Sequence, residues 1–191
     1  MIEVKFRKIH PNAVVPKCAN EGDMCFDLTA VGVEYNEEND SYIYHTGLAM
    51  ETPLGFGANI FVRSKNAKTD CYLANHVGKV DSYGYRNEVL VIFKNRTSWE
   101  VRRMLTEWMQ MKKSTAGVVF DEKESLGETV RKLKANIKGN KSVISPMDFA
   151  PYNVGDRVAQ MEIVKIEDVK IVVTDELSDA KRGSGFGSSG N

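Results

Sequence analysis

The chain has 191 residues, 42% hydrophobic and 27% charged, enough for one folded domain with a real core and one appendage. Its formal net charge is zero, which argues against an extended nucleic-acid surface, since that normally shows as a basic excess. Three cysteines, Cys18, Cys25 and Cys71, widely spaced and without a CxxC pair, argue against a disulfide framework or a zinc site and point to a reducing, cytoplasmic setting.

In chain order, Ile2, Val4 and Phe6 alternate with polar residues and predict a strand rather than the apolar run of a signal peptide. Tyr42 and Tyr44 alternate likewise, and residues 58–63, 88–93, 157–166 and 169–173 are rich in β-formers. Clusters of Gly, Pro and Asn separate these runs, at 20–22, 53–57, 78, 84 and 153–155. Many short strands with such punctuation predict an all-β barrel or jelly-roll-like sandwich. No stretch approaches the roughly 20 apolar residues of a membrane-spanning helix.

Residues 98–146 break the pattern. Val101, Met104, Leu105, Trp108 and Met111 fall at helical spacing, with Thr97 and Glu100 placed for a capping box. Leu126, Val130, Leu133 and Ile137 repeat the spacing after Ser125 and Glu128, and Gly139 offers a stop. The expectation is a helical hairpin inserted into a β-domain formed by 1–97 and 147–180. The insertion is either decoration packed on that domain or an element that binds a protein partner; residues 98–147 carry ten Lys/Arg against six Asp/Glu. The tail, 181–191, is Gly/Ser-rich, which reads as a flexible end. Its Arg, Phe and Ser among glycines are also the materials of a clamp on phosphate and base.

Five separated segments carry polar residues that strand packing does not require. They are Gly22–Ala30 with Asp27; Val62–Lys68 with Arg63, Ser64 and Lys65, following Thr46-Gly47-Leu48; Val77–Glu88 with Gly78, Val80, Asp81 and Tyr85; Gly155–Met161 with Gln160; and Arg182–Gly190 with Phe186, Gly187, Ser188 and Ser189. In this order they resemble the five motifs of the trimeric dUTPase family, over nearly all the chain outside the insertion. The departures are Phe26 for a tyrosine, Lys65 for a small residue, one extra residue between Asp81 and Tyr85, and one glycine fewer between Arg182 and Phe186.

That resemblance implies hydrolysis of dUTP to dUMP and pyrophosphate, keeping uracil out of DNA, by a homotrimer with Mg²⁺ and with sites shared between subunits. It implies Asp81 as the catalytic residue that orients the attacking water, and Asp27 as an outer-shell ligand of Mg²⁺ through water. Arg63, Ser64, Gln160, Arg182, Ser188 and Ser189 would meet phosphates, with Lys65 either adding a contact or pointing away. Gly78 and Val80 would read uracil through the hairpin backbone, Tyr85 in preference to Tyr83 would pack on the deoxyribose, and Phe186 with Gly187 would close over the base. Asp156 and Arg157 read as a turn and subunit-contact pair. The alternatives are a dCTP deaminase-like enzyme on the same fold, or a nucleotide-dependent regulatory module that binds a protein. An insertion near this place occurs in some phage-encoded members of the family, so phage or virus origin is one reading.

Overall fold

The longest strand carries the fold. Ser41–Glu51 (β4) has Tyr42 and Tyr44 turned inward at zero exposure, and every second residue of its first half packs on the core. A computed structural model describes residues 2–82, 85–115 and 145–176, with only the backbone for 108–115. The second helical pattern of the insertion, Tyr83, the side chains of Trp108 and Met111, and all five tail residues Arg182, Phe186, Gly187, Ser188 and Ser189 lie outside the described residues.

Two sheets face each other across one core. In the first, Lys5–Lys8 (β1) and Gly32–Asn36 (β3) pair end to end along one edge of β4, and Glu88–Asn95 (β8) pairs along the other. Cys71–Leu73 (β6) closes that sheet beyond β8. The second sheet runs Phe26–Thr29 (β2), Arg157–Lys165 (β9), Phe56–Val62 (β5) and Gly78–Val80 (β7), all antiparallel. Leu28, Ile60, Val158 and Met161 from this sheet meet Tyr44, Val91 and Phe93 from the other. The all-β expectation therefore holds, as a two-sheet sandwich.

The buried tyrosine hydroxyls need partners, because an unpaired polar group in a core costs roughly 1–3 kcal/mol. Segment 146–152 provides them. Tyr42 donates to Pro146 O at 2.7 Å, and Tyr44 donates to Tyr152 O at 2.9 Å and accepts from Tyr152 N. Burial pushes the Tyr44 hydroxyl far up, so it remains neutral.

Residues 169–173, expected as a strand, form none. Val169, Ile171, Val172 and Val173 stand between 66% and 95% exposed and pair with nothing among the described residues. Their β-branched composition suits a strand, but a strand exists only where a sheet edge takes it up.

The first helix of the insertion is present as Trp99–Thr115 (α1). Its cap differs from the sequence expectation. Thr97 turns its hydroxyl to Asp70, and the free amide of Trp99 is taken by Asp40 Oδ2 at 2.8 Å, from the β3–β4 turn. Arg102, only 8% exposed, donates to the other Asp40 oxygen at 3.0 Å and to the carbonyl of Thr97, and lies over the Phe149 ring. Tyr35 donates to the same carboxylate at 2.9 Å. Trp99 meets Phe149 edge-on, so the chain leaves and rejoins the β-domain side by side. Val101, Met104 and Leu105 of α1 remain half-exposed.

Candidate functional site

The middle of the second sheet gathers residues from three of the five segments. β9 pairs with β2 on one side and β5 on the other, so Gln160 stands between Asp27 and Phe61 in register. Because alternate residues of a strand share a face, this places the Asp27 and Gln160 side chains together. Arg63 follows directly at the end of β5. It donates from Nε to Asp27 Oδ1 at 2.7 Å, with 22% and 14% of the two side chains exposed. Arg157, at the start of β9, donates to the second oxygen, Asp27 Oδ2, at 2.9 Å.

Asp27 thus ties down two guanidinium groups, and with one of them, Arg63, it lines a cleft of about 300 Å³ together with Ala19, Asp23, Met24, Cys25 and Gln160. Burial, and then the charge of Glu162, push the Cys25 thiol up, so it faces the cleft as a neutral thiol. Asp23 closes the approach as a turn, its carboxylate accepting from Asn20 N at 2.8 Å. The cluster offers donors spaced for an anion, and Arg63 keeps the other nitrogens of its fork for such a ligand.

What holds Arg63 there is the 3₁₀ turn Ser64–Lys68, organised by Asn66. Its buried amide donates to Cys71 O at 3.0 Å and its oxygen accepts from Thr69, Cys71 and the Tyr152 hydroxyl. Burial raises that hydroxyl to about 12. Ser64 is exposed at the head of the turn, and Lys65 lies with its ammonium 5.9 Å from the centre of the Tyr152 ring.

The hairpin that follows β7 lies elsewhere. Gly78 and Val80 are buried in β7, so what they present is backbone. Asp81 is exposed just beyond, and Ser82 is tied to the Pro53–Gly55 turn, donating to Pro53 O and accepting from Gly55 N. A side chain on Gly57 would put its Cβ 2.9 Å from Val80 O, so the hairpin can sit against β5 only because that position is glycine. Tyr85 is 36% exposed with its hydroxyl donated to Glu88 O at 2.6 Å.

Asp81 therefore sits beside Gly57 while Arg63 sits six residues further along β5, about 20 Å away at a strand's rise of ~3.3 Å per residue. Within one chain, Asp27, Arg63 and Gln160 come together and Asp81 with Tyr85 stands apart. Sequence reading missed Arg157 as a partner of Asp27, having assigned it to a turn and subunit contact. Asp156 is a turn residue, accepting from Asn153 N at 2.9 Å. The signal for Arg157 lay in register alone, three residues before Gln160 on the strand that faces Asp27.

Among the described residues no group of three or more His, Cys, Asp or Glu side chains could cage a metal, and no helix is long and apolar enough to cross a membrane. A water-mediated Mg²⁺ site still fits this donor set, because each Asp27 oxygen keeps a lone pair beyond its arginine bond and Mg²⁺ retains most of its waters.

No family model matches the chain. It is 29% identical over 191 residues to the deoxyuridine 5'-triphosphate nucleotidohydrolase of Picosynechococcus, covering 99% of both chains. Among solved structures it is similar to the dUTPase of Staphylococcus bacteriophage 80alpha with dUpNHpp, at TM-score 0.62 and 20% identity, covering 98% of both chains. It is also similar to a mutant dUTPase from phage phi11 of S. aureus, described with a structural Mg(II) ion, at TM-score 0.56 and 21% identity over 93% of this chain and 99% of that one. At these identities the likeness to the solved structures is one of fold, and it agrees with the two-sheet sandwich. Over its full length, on this fold and with the motifs in order, the chain is similar to curated deoxyuridine 5'-triphosphate nucleotidohydrolases.

Proposed function

We propose that this chain hydrolyses dUTP to dUMP and pyrophosphate. The observation that carries the reading is the Asp27–Arg63–Arg157–Gln160 cluster, which is built to hold a polyphosphate. Arg63 and Gln160 bind phosphate oxygens, Ser64 adds a hydroxyl, and Asp27 keeps both guanidinium groups aimed. Asp81 holds and orients the water that attacks the α-phosphorus, and Tyr85 walls the sugar. Gly78 and Val80 bind uracil through the β7 backbone. From the tail, Arg182, Ser188 and Ser189 take phosphates, and Phe186 and Gly187 cover the base. Asp27, through water, is the residue that would hold Mg²⁺; when bound, that ion neutralises charge on the phosphates.

The working unit in this reading is a homotrimer with sites built between copies. Its support is the length of β5, which keeps Asp81 about 20 Å from Arg63 in one chain, so a single site needs the hairpin of a neighbour. The exposed residues 169–173 give each copy an unpaired segment with which to reach one. The β-domain, 1–97 with 147–180, carries the chemistry, the insertion 98–146 stands beside it, and the tail 181–191 closes the site.

Two measurements test this. Purified protein is given dUTP or dCTP, and pyrophosphate and ammonia are read separately. Pyrophosphate from dUTP is expected, while ammonia from dCTP would establish a deaminase instead. Then Arg63→Ala and Asp81→Asn, each expected to be inactive alone, are mixed after unfolding and refolding together. Partial recovery of activity is expected; none would sink the shared site.

A further inference from the structure

The hairpin rejoins the first sheet at Glu88, and β4 is bulged where it lands. Between the pairs His45↔Leu90 and Ala49↔Glu88, β4 places Thr46, Gly47 and Leu48 opposite Val89 alone. Gly47 takes φ +68°, and a Cβ there would fall 2.6 Å from His10 Cβ, so only glycine makes this bulge. Buried Thr46 donates to Val89 O at 2.7 Å. The Gly47 N–H donates to Glu88 Oε1 at 2.6 Å, and the other oxygen, Oε2, meets His45 Nδ1 at 3.0 Å. On its far side His45 faces Glu34 of β3 at 3.8 Å.

Glu88 also holds Tyr85, since its backbone carbonyl accepts the Tyr85 hydroxyl. The Tyr85 carbonyl in turn accepts from Arg86, whose guanidinium pairs with Glu51 of β4 at 3.1 Å. Both ends of Tyr85 are therefore fixed by residues anchored on β4.

We propose that Glu88, clamped by His45 and the Gly47 N–H, is a positioning residue for Tyr85 and so sets how strongly the site rejects ribose against deoxyribose. This rests on the reading of Tyr85 as the sugar wall. An apolar wall excludes an added hydroxyl only as far as it cannot yield, so selectivity depends on what stiffens it. Glu88 and His45 act here through Tyr85, and neither is assigned a contact with substrate.

The test compares Glu88→Ala, Glu88→Gln, His45→Leu and His45→Asn with the unchanged protein, using dUTP and UTP, at a temperature where each is folded by thermal melting. The kcat/KM ratio of dUTP to UTP should fall tenfold or more in Glu88→Ala and His45→Leu, with kcat for dUTP within threefold. Glu88→Gln still accepts the Gly47 N–H and His45→Asn still offers a donor near the Nδ1 position, so both should keep most of the ratio. An unchanged ratio in folded His45→Leu would overturn the proposal even if Glu88→Ala does not fold. An equal loss of kcat for both nucleotides in Glu88→Ala and Glu88→Gln would mean a merely structural role and would also overturn it. Amide exchange at Gly47 and the NMR line shape of the Tyr85 ring, read without substrate, should both change in Glu88→Ala; if neither moves, the clamp fails whatever the enzyme hydrolyses. Absence of dUTP hydrolysis in the unchanged protein would instead defeat the functional reading.

Discussion

Asp27 receives Arg63 on one carboxylate oxygen at 2.7 Å and leaves the other to Arg157 at 2.9 Å, so one acid ties down two cations, of which Arg63 lines the cleft.

That relationship makes Asp27 worth more than its own contacts. Asp27→Asn keeps the shape and gives up the charge that holds both guanidinium groups. A loss of kcat/KM for dUTP of a hundredfold or more is expected, about 2.7 kcal/mol in transition-state stabilisation. Arg157→Ala leaves Arg63 in place and its side chain is already half-exposed, so a loss nearer tenfold is expected. Steady-state kinetics on both variants check the order; equal losses would show that Arg157 meets substrate as directly as Arg63.

Asp81→Asn is expected to bind dUTP normally and to turn it over at less than a tenth of the usual rate. A tenfold loss corresponds to about 1.4 kcal/mol, the least an orienting carboxylate should contribute. Titration with a non-hydrolysable analogue beside a rate assay separates binding from chemistry. A variant that keeps normal turnover would remove Asp81 from the mechanism.

The root of the insertion should loosen in acid. Burial alone would raise the Asp40 carboxyl, but bonds from Trp99 N, Tyr35 and Arg102, with the charge of Arg102, outweigh it and hold the group below its ordinary 3.8. A carboxyl lowered in the fold gives stability that is complete above its unfolded value and lost as pH falls through the folded one. Asp40→Asn should therefore weaken protection of the Trp99 amide at pH 7, by about 1–3 kcal/mol. The gap from the unchanged protein should close only below pH 3.8, as the folded carboxyl takes up its proton. A gap that persists in strong acid would mean the carboxylate charge is not what anchors α1.

Removing 181–191 should leave a protein with unchanged melting and assembly and a severe loss of activity. A Gly/Ser-rich tail offers almost nothing to a core, so its contribution falls on the closed site alone. Size measurement, thermal melting and a rate assay on one preparation check it. Normal hydrolysis would return the tail to the role of a linker.

The β-domain was legible because its signals are local. Alternation marked β4, β-forming composition marked β5, β8 and β9, and the resemblance of the polar segments to a known family singled out Asp27, Arg63, Asp81 and Gln160. The same logic failed at 169–173, where β-branched residues describe a strand but pairing requires an edge that composition does not name. It failed again at Thr97, whose hydroxyl is spent on Asp70 while a carboxylate 59 residues upstream caps α1. Local chemistry by itself determined which runs could be strands, and only the resemblance of five ordered segments to a known family proposed which residues serve a nucleotide. Only the tertiary structure decided that Arg157 shares Asp27 with Arg63, and that β5 keeps Asp81 apart from them. Those are matters of register and of distance along a rigid strand, and neither is written within a few residues of the groups concerned.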